Sequence, residues 1–276
     1  MPKKQSKYKI LPAVKPSVAI NAEYQKALLK LVRQMRDSIS YYCLAAYKPI
    51  IEEIKEARES ATQDAKPTPS ATMAKMRKVI EAIRKRYQKK FSDLAGKLPK
   101  MIVDKINKEV SRRIKNMLID EMEVSFKLTP QMKLFLKAAT QENIALIKSI
   151  PQKYMDRVEF DIYDSISKGR NMTELTEKLE KQAYGVSRRR AITIAYDQVN
   201  KITEGVNIQR KTELGLYYAI WRHSHIPQVP RQSHLKADGK EYDIRKGCYI
   251  DGEYIQPAEK VNCNCFSQTI VKFDNR

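Results

Sequence analysis

The chain has 276 residues, 42% of them hydrophobic, with only 8 Gly and 12 Pro, so one large or two small packed domains fit it and global disorder does not. Its 53 Lys and Arg against 32 Asp and Glu give a net charge of +21, a field that favours nucleic acid, anionic lipid or an acidic partner and says nothing about fold. Four cysteines are too few and too unevenly spaced for a secreted disulfide framework, and no run approaches the ~18 apolar residues of a membrane span.

The first residues, 1–20, hold Lys3, Lys4, Lys7, Lys9 and Lys15, three prolines and no acid. They read as a basic flexible arm, and with no apolar stretch after Met1 they do not read as a secretory signal. A helical period follows at Tyr24, Leu28, Leu31, Met35, Ile39 and Tyr42, disturbed at Pro49. The run Ala65-Lys66-Pro67-Thr68-Pro69-Ser70 reads as a loop whose Ser70 caps the next helix. That helix carries Met73, Met76, Ile80, Ile83, Tyr87 and Phe91, and another carries Ile102, Ile106, Val110, Ile114 and Met117.

The outward positions of these two helices are crowded with Arg84, Lys85, Arg86, Lys89, Lys90, Arg112 and Arg113. Two basic amphipathic helices make a phosphate-tracking surface for double-stranded DNA, and the plainer alternative is a solvated face on a helical hairpin. The charge is uneven along the chain. Residues 1–206 hold 42 basic and 24 acidic side chains, and residues 207–276 hold 11 and 8.

Thr129-Pro130 predicts a helix start, a capping residue followed by Pro at the first helical position. Ile150-Pro151 predicts another, bearing Tyr154, Val158, Ile162 and Ile166 and stopped at Gly169. A short helix around Leu175 and Leu179 precedes a long one capped by Ser187 and ending near Gly215. Then the texture changes. Residues 217–221 have strand character, Tyr249 to Ile255 reads as a hairpin turning at Asp251-Gly252, and residues 266–273 form a last strand. A mainly helical N-terminal region followed by a helix-then-β-rich C-terminal domain makes an α+β protein. The expected divisions are 1–20, a helical basic region at 21–148 and a domain at 149–276 that folds alone.

Cys263 and Cys265, with Cys248 and His234 upstream, form a set of four soft ligands for tetrahedral zinc, although standard zinc knuckles use Cys-x-x-Cys. Two strand residues spaced by two point the same way. The alternative is small thiols buried in a β core, and no cofactor is otherwise expected. His223, His225 and His234 are the three histidines of the chain. His225 and His234 with Arg231 are the residue types of a metal-independent ribonuclease, one imidazole acting as base and the other as acid. Equally, Arg231 and His234 could fix the turn at Asp238-Gly239. Walker-type, Gly-x-Ser-x-Gly and His-Glu-x-x-His motifs are all missing.

The ordered series Arg189-Arg190-Ala191, Trp221, Arg231-Gln232-Ser233-His234, Asp238-Gly239-Lys240, Gly252, Pro257 and Asn262-Cys263-Asn264-Cys265 resembles the Mu F-like head-morphogenesis domain of tailed phages. The sequence departs from that pattern at Tyr196-Asp197-Gln198, where the family usually has Arg-Thr-Glu, and at Asn264, where it often has Arg. The resemblance implies a non-enzymatic minor capsid protein acting with portal, capsid or scaffold proteins and packaged DNA. It would be found first in the host cytoplasm and then in the virion head interior, away from membranes. It also implies structural roles for Trp221, Arg231, His234, Asp238, Gly239, Asn262, Cys263 and Cys265. A general nucleic-acid-binding protein is the further alternative.

Overall fold

The computed structural model describes residues 8–60, 71–119, 123–168, 171–225 and 230–272. The start of the arm, the 65–70 loop with its Ser70 cap, the Gly169 stop and Phe273 lie outside those residues. The elements in chain order are β1 (Tyr8–Ile10), α1 (Val18–Ser60), α2 (Ala71–Ala95), α3 (Leu98–Met117), α4 (Pro130–Ser167) and α5 (Met172–Glu177). A π-helical turn (Lys178–Ala183) leads into α6 (Tyr184–Glu213). β2 (Tyr218–Arg222), α7 (Gln232–Lys236), β3 (Glu241–Asp243), β4 (Cys248–Ile250), β5 (Glu253–Ile255) and β6 (Phe266–Lys272) complete the order. The α+β expectation holds. No helix of the described residues is long and apolar enough to cross a membrane.

Three helix boundaries differ from the expected ones. Pro49 and Pro151 lie inside α1 and α4 rather than disturbing or opening a helix. A proline removes one helical hydrogen bond and crowds the preceding turn. Pro151 is tolerated because the buried side chains Ile147, Ile150, Tyr154 and Met155 hold the helix on both sides of it. Ser187 is buried within α6, and the capping is done earlier, by Asn171, whose Oδ1 accepts from the Glu174 N–H at 2.9 Å. Thr129 caps α4 as expected, its Oγ1 accepting from the Met132 N–H at 3.2 Å.

The chain forms two compact units, each discontinuous in sequence, so the expected sequential division at 148/149 is not the one the packing makes. The first comprises Met1–Glu23, Pro99–Glu142 and Ala195–Arg276, and the second Tyr24–Leu98 and Asn143–Ile194. The division differs because α4 joins two predicted helices in one and both α4 and α6 supply residues to both units.

The second unit is a helical bundle. The predicted stripes of α1 and α2 are buried, including Leu28, Met35, Ile39, Met76, Ile83 and Phe91. Leu31 and Met73 are only partly buried, and Tyr42 is half exposed and edge-on to Tyr41. Polar bonds tie the helices: Tyr87 Oη donates to the Gln34 carbonyl at 2.5 Å, Tyr24 Oη donates to Asn143 Oδ1 at 2.7 Å, and Arg190 Nη2 donates to Ser149 Oγ at 2.7 Å.

The first unit holds a four-stranded antiparallel sheet in the order β1-β6-β2-β3, plus the β4-β5 hairpin. Part of the expected flexible arm is therefore a strand, with Lys9 opposite Val271. The hairpin turns at Asp251 (φ 52°) and Gly252 (φ 85°), both left-handed as a two-residue hairpin turn requires. In this unit α6 presents buried polar residues. Asn207 Nδ2 donates to Ser267 Oγ at 3.0 Å. Arg210, 3% exposed, donates to Asn107 Oδ1, Ser111 Oγ, the Lys127 carbonyl and Glu213, and lies over the Phe126 ring. Glu204 and Lys211, two helical turns apart, are both buried.

Gly247, just before β4, has φ +95°, and a Cβ there would stand 2.9 Å from the Ile255 carbonyl oxygen. Gly247→Ala is expected to cost about 2–3 kcal/mol, since backbone on the facing strand cannot move aside as a side chain could. Urea midpoints of the two proteins measure it, and equal midpoints would refute the close approach.

Candidate functional site

The site is built on the first unit by three pieces of chain, β2, α7 and the loop leading into β6. A buried apolar cluster supports it, with Ala219, Trp221, Tyr242, Ile244, Ile250 and Ile255 among its members. α7 is short and ends at a tight turn. The Gly239 N–H (φ 84°) bonds the Trp221 carbonyl at 2.9 Å and the Lys240 carbonyl accepts from the Trp221 N–H at 2.9 Å. This pairing clamps α7 against β2.

His234, on α7, is buried, and its Nδ1 stands 3.5 Å from Cys263 Sγ and 3.6 Å from Cys265 Sγ. Its ring lies edge-on to Trp221, with centroids 5.3 Å apart and planes at 87°. The three ligand atoms of His234, Cys263 and Cys265 all lie within 4.8 Å of one another. Cys248 is not part of that group, so the expected set of four loses a member. It sits on β4 in the apolar cluster, where burial raises its pKa.

Cys263 and Cys265 precede the last strand, as the sequence predicts. They lie in the loop just before β6, after Asn262 turns the chain with φ 59°. One helical turn of α6 pins that loop. Asp197 Oδ1 accepts from the Asn262 N–H at 2.8 Å, and Asn200 Nδ2 donates to Asn264 Oδ1 at 2.9 Å. The spacing of three puts Asp197 and Asn200 on one helix face. Both were missed in the sequence, although Asp197 stands in the segment that departs from the family pattern. Burial raises the Asp197 pKa, and the Asn262 N–H opposes the shift.

The two site cysteines behave as a pair. The neighbouring Cys265 thiol holds the Cys263 pKa down to about 5, helped by the backbone N–H groups of Cys265 and Ala258 and by His234. The same contact with Cys263 raises the Cys265 pKa, while the Trp221 indole acts to lower it.

The other histidines lie nearby but differently. His223 is buried, and its Nδ1 accepts from the His225 N–H at 3.0 Å, while its own N–H donates to Asp238 Oδ1 at 3.0 Å. Burial, then the neighbouring His225, lowers its pKa. The His225 side chain is 68% exposed and approaches Asp238 at 3.8 Å. Arg231 donates to the Val261 carbonyl at 3.0 Å. The expected turn-fixing pair thus has other partners. Arg231 binds the Val261 loop, His234 faces the cysteines, and the Asp238 carboxylate takes the His223 N–H. A cavity of about 270 Å³ lined by His223, Arg231, His234, Asn262, Cys263 and Cys265 opens beside the cluster.

The expected phosphate-tracking residues fall in both units, Arg84 to Lys90 in one and Arg112 with Arg113 in the other. Lys85, Arg86, Lys89 and Arg112 are exposed. Arg84 is not free: its guanidinium is 13% exposed and bonds Asp156 at 2.7 Å and Glu159 at 2.5 Å. Arg113 bonds Glu109 and the Lys15 carbonyl, and Lys90 lies over the Tyr87 ring.

Among known proteins, the chain is 27% identical over 157 residues to an uncharacterized protein of Haemophilus influenzae, covering 57% of this chain and 34% of that relative. The chain thus spans about a third of the relative's length. No solved structure matches it significantly. The profile of the family described as Phage Mu protein F like protein matches residues 156–268, from the second half of α4 into β6. On that match, residues 156–268 are similar to the Phage Mu protein F like family.

Proposed function

We propose that the protein is a minor head-morphogenesis protein of a tailed phage. It acts inside the head near the portal, in procapsid assembly and DNA packaging or exit. The observation that carries this reading is the Mu F-like match at residues 156–268. Portal, capsid or scaffold proteins are its partners, first in the host cytoplasm and then in the virion head. The test is sedimentation of the tagged full chain with procapsids of its source phage. Co-sedimentation that persists through washing supports the role, and absence from the procapsid fraction removes it.

The protein also contacts double-stranded DNA without sequence preference, a reading supported by the +21 charge and the exposed Lys85, Arg86 and Lys89 on α2. Because Arg84 is held by two carboxylates, it does not belong to that surface. Replacing Lys85, Arg86 and Lys89 with Ala is expected to flatten the slope of log K against log salt by ~2 to 3 units, since each phosphate contact contributes ~0.9. An unchanged slope would take the DNA contact away from α2.

No catalytic role is assigned. The ribonuclease alternative needs two imidazoles flanking one phosphate, whereas His234 is buried against two sulfurs and His225 stands outside against Asp238. The purified chain is expected to cut neither RNA nor DNA, with or without Zn²⁺ or Mg²⁺. Cleavage that disappears in a folded His225→Ala variant would reverse this assignment.

A further inference from the structure

We infer that His234 Nδ1, Cys263 Sγ and Cys265 Sγ bind one zinc ion, whose fourth coordination position opens into the cavity lined by His223 and Arg231.

The first argument is metric. Zinc bonds sulfur at about 2.3 Å and imidazole nitrogen at about 2.0–2.1 Å, so tetrahedral angles place a bound nitrogen and a bound sulfur about 3.6 Å apart. The two nitrogen–sulfur separations are 3.5 and 3.6 Å. A thiol-to-imidazole hydrogen bond accounts for one of these distances. It does not account for two, because the single lone pair of Nδ1 points along one direction. A cation in the middle of the three atoms accounts for both.

The second argument is the surrounding donors. Metal-bound thiolates are held by N–H groups around the sulfur. The fully buried Trp221 indole Nε1, which has no hydrogen-bond partner among the described residues, belongs to the same buried cluster as Cys263 and Cys265. Burying an indole N–H without an acceptor is costly, and a thiolate in its direction relieves that cost. Two thiolates and one Zn²⁺ also sum to zero charge, which suits a buried site.

The third argument concerns coordination number. Structural zinc sites close with four protein ligands, whereas an open position is the mark of a site that takes water or a further ligand. Here Cys248 lies outside the group of three close ligand atoms, and a cavity of about 270 Å³ meets those three. That is ample for water in the fourth position. The Cys-x-Cys spacing is workable because both sulfurs are delivered by a loop whose bend, at Asn262, is fixed by Asp197 of α6.

The test uses the full chain. Purified with zinc and desalted, it should retain one zinc per chain by atomic emission. A Cys43→Ala/Cys248→Ala variant leaves only the proposed pair of cysteines. With Co²⁺ it should show the thiolate-to-cobalt charge-transfer band and the intense visible bands of a tetrahedral site. Cys265→Ser should weaken Zn²⁺ binding at least ~100-fold, beyond what loss of an outer-shell partner does. Absence of retained zinc in the parent overturns the proposal, as does a six-coordinate cobalt spectrum in the double variant. Because that spectrum is a gain of signal in a chain with both site cysteines intact, it does not depend on whether Cys265→Ser folds.

Discussion

A fragment of residues 149–276 is expected to melt gradually, without the cooperative transition of the full chain. It retains the whole Mu F-like match yet only part of either compact unit. In the first unit it lacks β1 and residues 99–142. Arg210 would then lose Asn107, Ser111, the Lys127 carbonyl and the Phe126 ring together. The guanidinium would keep Glu213 but lose its other acceptors, and each buried donor left unsatisfied costs about 1–3 kcal/mol. In the second unit the fragment lacks α1 and α2, whose apolar stripes are buried. A domain has total stability of roughly 5–15 kcal/mol, so these losses together exceed it. Near-UV circular dichroism from Trp221 during thermal melting is the measurement. A sharp transition with the indole signal of the parent would show that residues 149–276 are self-sufficient.

The second large effect is expected from the buried pair Glu204 and Lys211. Burial pushes the Lys211 pKa down to about 8, with Glu204 opposing, and burial raises that of Glu204. Glu204→Gln removes a carboxylate whose charge opposes the burial cost of Lys211 and should lower stability by up to roughly 3 kcal/mol at pH 7. Glu204→Gln/Lys211→Met should recover most of that loss, since an apolar side chain of similar length leaves no buried charge. If the double variant is as unstable as Glu204→Gln, the two side chains are not coupled.

The pH dependence of the parent follows from the same pair. Unfolded Lys211 keeps its proton up to about 10.4, whereas the folded residue releases it near 8. The unfolded state then binds more protons, so stability from this group rises between about 8 and 10.4 and is lost as pH falls through 8. Glu204 acts in the opposite sense, favouring the fold below its ordinary value and ceasing to as pH rises through its raised pKa. Urea unfolding from pH 7 to 10 should therefore show a rise in the parent that Lys211→Met lacks.

Helix existence was legible because apolar residues recur at the helical period over long stretches, as from Tyr24 to Ile39 and from Met76 to Phe91. Helix ends were not. Pro49, Pro151 and Ser187 carry local signals for a break or a cap, and packing on both sides overrides them. The hairpin at Asp251-Gly252 was legible because its turn chemistry is local. The pairing of β1 with β6 was not, because three short residues carry no mark of a partner at the far end of the chain. At the site, the residue types His and Cys drew attention to His234, Cys263 and Cys265. What excluded Cys248 and brought in Asp197 and Asn200 is tertiary placement, which spacing in sequence does not encode.

The pairing of Tyr8–Ile10 with the strand at Phe266–Lys272 also has a consequence for the timing of biosynthesis. The edge strand of this sheet is translated early and its neighbour late, so hydrogen bonds between them wait for nearly the whole intervening chain. At ~5–20 residues per second, that interval is on the order of ten seconds or more, far longer than a hairpin takes to close. During it the early segment stays unpaired, and a ribosome that stops before β6 releases a polypeptide with an unfinished sheet. Completion of the sheet thus reports that translation has passed residue 272, before any copy can enter an assembly in its finished form.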